Sequence, residues 1–128
     1  MRKIVLLLLI LGFTIACNGQ ENGATGNVTV KEAIKMTEDK DLVILDVRTP
    51  EEFAQGHLPK AQNINYYDES FVQQLEGLAR DKEYLVYCHS GGRSTKTLHL
   101  MEKNGFKMVH NLEGGISAWK FAEGKVEK

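Results

Sequence analysis

Tyr84-Leu85-Val86-Tyr87-Cys88-His89-Ser90-Gly91-Gly92-Arg93-Ser94 runs from four large apolar or aromatic residues straight into a cysteine, a glycine pair and a helix-compatible segment. An unbroken apolar run bounded by polar residues reads as a strand buried on both faces. A cysteine at the end of such a strand, before a short loop whose backbone N–H groups converge as a helix starts, sits where an anion is held. The same field favours a thiolate. Arg93 returns a fixed positive charge at the far end of the loop, with a planar fork suited to oxyanions. The stretch therefore reads as a nucleophile, Cys88, in an anion cradle formed by His89, Ser90, Gly91, Gly92, Arg93 and Ser94.

Working outward, a second apolar run, Leu42 to Val47, reads as another buried strand, with Asp46 near its end. Thr49-Pro50-Glu51-Glu52 has the order of a helix start, cap then proline then acids. Shorter strands are expected at Val28–Val30, Ala61–Ile64 and Lys107–Leu112, and helices over Lys31–Glu38, Asp68–Arg80, Ser94–Asn104 and a short stretch ending at Trp119. Trp119 and Phe121 are expected to cover the core at the sheet's edge. Strands alternating with helices imply βαβ units, hence an α/β fold with a mainly parallel sheet and helices on both faces. Ligands bind beyond the carboxyl ends of such strands, where Asp46 and Cys88 both fall.

The 128 residues, 42% of them apolar, allow one domain without compositional bias toward disorder. The first 16 residues stand apart: Met1-Arg2-Lys3 is basic, Ile4 to Ile15 is nearly all apolar, and small Ala16 precedes Cys17. This is the pattern of a signal peptide. Residues 18–27 are polar and glycine-rich, a flexible tether. Loss of Arg2 and Lys3 takes the net charge from −1 to −3, which gives no reason to expect a nucleic-acid partner. Residues 28–121 are left for the domain and 122–128 for a C-terminal tail. Cys17 and Cys88 are the only cysteines.

Together the pieces resemble a single-domain rhodanese. They are Leu45-Asp46-Val47-Arg48 with Glu52-Phe53, Gly56-His57-Leu58-Pro59 with Ala61 and Asn63-Ile64, the loop Cys88 to Ser94, Asn104-Gly105-Phe106, and Leu112-Glu113-Gly114-Gly115 with Ala118-Trp119. Thr14-Ile15-Ala16-Cys17 likewise resembles a bacterial lipobox, with Thr14 where leucine is commoner. That resemblance implies lipidation at Cys17 and an exported, periplasmic or cell-surface protein anchored to the membrane.

The rhodanese resemblance implies a three-layer fold and a sulfurtransferase. Cys88 would take sulfane sulfur from a small anionic donor such as thiosulfate, hold it as a persulfide, and pass it to cyanide, a small thiol or a partner protein's thiol. No cofactor is implied, and His99 and His110 lack metal-ligand spacing, so no metal is expected. Cysteine-dependent phosphatases and some arsenate reductases carry a similar loop one residue longer than the four residues between Cys88 and Arg93. A phosphatase or arsenate reductase is therefore the alternative enzyme, and a partner-binding or redox module the alternative without sulfur transfer. Arg93 either contacts substrate or ties the loop to a carboxylate. Asp46 and Arg48 are expected to support the site, Arg48 by pairing with Glu51 or Glu52 and Asp46 by holding the neighbouring loop. His57 is expected to be structural.

Overall fold

Five strands lie parallel in one sheet: β1 (Gly26–Val28), β2 (Val43–Asp46), β3 (Gln62–Asn63), β4 (Tyr84–Tyr87) and β5 (Val109–Leu112), in the spatial order β1-β5-β4-β2-β3. This computed structural model describes residues 25–128. The signal segment, Cys17 and most of the tether lie outside the described residues.

The two apolar runs form adjacent central strands, with Val43 opposite Tyr84 and Asp46 opposite Tyr87. Successive side chains of a strand point to opposite faces, and each face has its own cover. Leu45 and Val86 pack with Phe71 and Leu75 of α3 (Phe71–Glu76) and Leu98 and Met101 of α4 (Gly92–Lys103). Ile44, Leu85 and Tyr87 pack with Ala33 of α1 (Val30–Met36) and Ile116 and Trp119 of α5 (Gly115–Phe121). The result is the three-layer α/β arrangement. Each fully buried large apolar side chain contributes about 1.5–3 kcal/mol relative to exposure.

Local chemistry sets the helix starts. Thr29 caps α1 reciprocally with Glu32, through bonds of 2.8 and 3.2 Å. Thr49 does the same with Glu52 at the start of α2 (Pro50–Ala54), where Pro50 takes a position needing no N–H donor.

Several expected boundaries move. The tether was expected to reach Asn27, but Gly26 and Asn27 already pair with His110 and Asn111. An edge strand is joined through its backbone, and Asn27 adds a side-chain bond from Asn111 at 3.0 Å. The strand expected over Val28–Val30 stops early because Thr29 turns to cap α1. The helix expected over Asp68–Arg80 is confined to Phe71–Glu76: Gly77 ends it, and Arg80 donates to the carbonyls of Glu76 and Leu78. Phe121 does not cover the core; it is 92% exposed while Trp119 is 3% exposed. The C-terminal residues fold back, with Trp119 Nε1 donating to Lys125 O and Glu127 exchanging backbone bonds with His57.

Candidate active site

The backbone after β4 folds around one sulfur atom. Cys88 is 1% exposed. Its Sγ accepts from the Gly91 N–H at 3.1 Å and from Ser94 Oγ at 3.3 Å. Gly91 supplies the φ of +119° that turns the chain back over the sulfur, a conformation costly for any residue with a Cβ. The helix begins two residues earlier than the sequence suggests, at Gly92, so the cradle and the first turn of α4 are one structure. Burial alone pushes the Cys88 thiol up. Bonds from the Ser94 hydroxyl and from the N–H groups of Ser94, Gly91 and Ser90 outweigh it and bring the thiol below its ordinary value. His89, Ser90 and Gly92 are exposed at the rim.

A second wall holds the loop from behind. The Ile116 N–H donates to Cys88 O at 2.9 Å and the Ser117 N–H to His89 O at 3.1 Å. Backbone can come this close only because residue 115 is glycine: a Cβ there would lie 2.6 Å from Cys88 O and 2.5 Å from His89 O. The Gly114-Gly115 turn thus sets the position of the catalytic candidate from a segment 26 residues later in the chain.

Two arginine–carboxylate pairs surround the cradle, and their partners differ from those expected. Arg48 bonds neither Glu51 nor Glu52. It pairs with Asp46 through Nε at 3.0 Å and Nη2 at 2.7 Å, and Nη2 also donates to Gly56 O at 2.7 Å. The reason is geometric: Asp46 ends β2, and two residues further Arg48 returns to the same side. Tyr87 completes this buried network, its hydroxyl donating to Asp46 at 2.6 Å and accepting from Leu58 N at 3.0 Å. Burial and the Asp46 charge push the Tyr87 phenol far up.

Glu52 instead receives Arg93, in a two-bond clamp of 2.8 and 3.0 Å. The Arg93 bonds hold the Glu52 carboxyl down at about 2, against an ordinary 4.5. Arg93 also lies 5.7 Å from the centre of the Tyr67 ring. Of the two roles left open for Arg93, tying the loop to a carboxylate is the one this geometry displays.

The matched sequence pieces, strands β2 to β5 and the four-residue cradle all fall within residues 29–122, which match the rhodanese-like domain family. The chain belongs to that family. This rhodanese is 41% identical over 86 residues to YtwF of Bacillus subtilis, provisionally named a sulfurtransferase, with 67% of this chain and 81% of that protein covered. It is 31% identical over 93 residues to the thiosulfate sulfurtransferase GlpE of Shewanella oneidensis, covering 73% and 90% respectively. A rhodanese-related protein of Thermoplasma volcanium superposes with a TM-score of 0.71 at 26% identity, covering 79% of this chain and 96% of that one. These relatives support a sulfurtransferase-type function.

Sequence reasoning on this rhodanese missed Tyr87 as the hydroxyl joining Asp46 to the Leu58 N–H, Gly115 as the backstop of the Cys88 loop and Glu52 as the Arg93 partner. Thr49-x-x-Glu52 is visible as a capping box, but the second use of that carboxylate depends on the side of α4 from which Arg93 leaves. Among the described residues, no three His, Cys, Asp or Glu side chains are grouped to hold a metal ion. His110 faces Glu83 at 2.8 Å, and His57 stacks on Phe53 with ring centroids 3.7 Å apart.

Proposed function

We propose that this rhodanese carries sulfane sulfur on Cys88. The observation that carries the reading is the set of donors aimed at Cys88 Sγ, which stabilise a thiolate and, once it is loaded, an anionic persulfide. Thiolate attacks the outer sulfur of thiosulfate, the S–S bond of the donor breaks, and sulfite leaves with its electron pair. Cys88 then holds the sulfur as a persulfide. Cyanide attacks that outer sulfur, thiocyanate departs and the Cys88 thiolate is regenerated, so no external oxidant or reductant enters the cycle. Arg93 adds positive charge near the thiolate while Glu52 fixes its position.

The mature protein incubated with thiosulfate and cyanide should release thiocyanate, and mass spectrometry should show one added sulfur on Cys88 before cyanide is supplied. Cys88→Ser should lose both signals. A Cys88→Ser protein with full turnover, or wild-type protein that hydrolyses an aryl phosphate and moves no sulfur, defeats the reading.

The reading extends to the start of the chain: Cys17 carries lipid and holds the domain at a membrane outside the cytosol. Support comes from the basic start, the apolar run and the small residue before Cys17. Full-length protein should take up labelled fatty acid and sediment with membranes, and Cys17→Ser should abolish both. Equal labelling of that variant removes the proposal.

A further inference from the structure

One concave feature beside the cradle has no part in the steps above. A cleft of about 330 Å³ has Arg48, Glu52, Gln55, His89, Ser117 and Lys120 among its lining residues. Most of its charges are already committed. Arg48 is spent on Asp46 at 2.7 Å and Glu52 on Arg93 at 2.8 Å. Lys120 is the lining cation with no ion-pair partner among the described residues. Ser117 and Lys120 stand three residues apart on α5 and so share a face. The Ser117 hydroxyl comes within 3.4 Å of His89 Nε2. His89 is the residue directly after Cys88, so the cleft and the cradle have a wall in common.

We infer that this cleft receives the carboxylate of a small organic thiol, the sulfur acceptor, with Lys120 supplying the charge and Gln55, His89 and Ser117 the hydrogen-bond donors. The inference rests on the persulfide reading above. Size favours an organic molecule: a volume above roughly 300 Å³ is the range of small-ligand sites, and a bare inorganic anion leaves most of it empty. Held by its carboxylate against Lys120, the acceptor presents its thiolate to the outer sulfur of the Cys88 persulfide. A new S–S bond forms between acceptor and outer sulfur, the Cys88–sulfur bond breaks, and its electron pair returns to Cys88 as thiolate. The product is the acceptor's own persulfide, whose outer sulfur keeps the negative charge it carried on Cys88.

The test uses three thiols of similar size and different charge: 3-mercaptopropionate, 2-mercaptoethanol and cysteamine. Wild-type protein loaded from thiosulfate should have the highest kcat/KM with the anionic thiol and the lowest with the cationic one. The ratio of 3-mercaptopropionate to 2-mercaptoethanol should fall about threefold in Lys120→Ala and about tenfold in Lys120→Glu, the size expected for a partly exposed charge pair and for its reversal. The preference should also shrink as salt is raised. Because each ratio is taken within one protein preparation, a partly folded variant does not disturb it. A ratio unchanged in Lys120→Glu overturns the assignment, as does a higher KM for thiosulfate in that variant with the thiol ratio intact, which would make the cleft a donor site. Wild-type protein that yields no thiocyanate from thiosulfate and cyanide would instead remove the persulfide reading itself.

Discussion

Two arginine–carboxylate pairs take their carboxylates from positions only six apart, Asp46 and Glu52, yet they do different physical work. The Asp46–Arg48 pair has side chains 0% and 5% exposed and is surrounded by Tyr87, Gly56 and the Arg48 backbone N–H. The Glu52–Arg93 pair is a third and a fifth exposed, with the Thr49 cap bonding Glu52 and the Tyr67 ring beside Arg93. A buried pair removed from water is strongly destabilising to break, because the remaining charge has no solvent to turn to. A pair at the rim exchanges its partner for water at little cost. The first pair therefore ties the end of β2 to Tyr87 and the Gly56 turn, and the second orients a charge at the lip of the cradle.

The sharpest way to break this contrast is Arg48→Met, which leaves Asp46 buried with Tyr87 and one backbone N–H as its remaining donors. Unfolding in urea should show a loss of about 3–5 kcal/mol. A loss below about 1 kcal/mol would put the two pairs in one class.

A smaller effect comes from Glu52→Gln, which should cost under about 1 kcal/mol at neutral pH. Water screens this pair, so its stabilisation is well below what the lowered acidity of Glu52 suggests. The sign follows from the direction of that shift. With the folded carboxyl held at about 2 against 4.5 unfolded, the stabilisation is complete above 4.5 and disappears as pH falls toward 2. Wild-type and Glu52→Gln unfolding curves should thus converge in acid. A gap that widens there contradicts the assignment of the Glu52 shift to Arg93.

The contrast also shows what was legible in the chain. The strands of the core were, because a parallel sheet covered on both faces needs unbroken apolar runs, and Leu42–Val47 and Tyr84–Tyr87 supply them. Cys88 and its loop were legible because glycine pairs and a strand end constrain the backbone locally. The choice of ion partners was not. Asp46 and Arg48 stand two apart at a strand end, a spacing that does place them on one side, but nearby Glu51 and Glu52 competed for the same arginine in a reading along the chain. Glu52 and Arg93 are 41 positions apart, and their meeting depends on the rotation of α4 about its axis, which no local pattern encodes. Gly115 was visible as half of a glycine pair. That it abuts Cys88 follows from the lateral spacing of β4 and β5, set by the packing of the whole sheet.

The depth of Cys88 has a consequence for traffic through the site. At 1% exposure the empty sulfur lies flush with the protein, sheltered from any reagent too broad to enter the cradle. In the proposed persulfide a second sulfur would extend about 2.05 Å beyond Sγ, in a loop whose His89 and Ser90 are open to solvent. On the proposed persulfide cycle, burial would therefore shelter the empty sulfur more than the loaded one, and the two states would differ in reach.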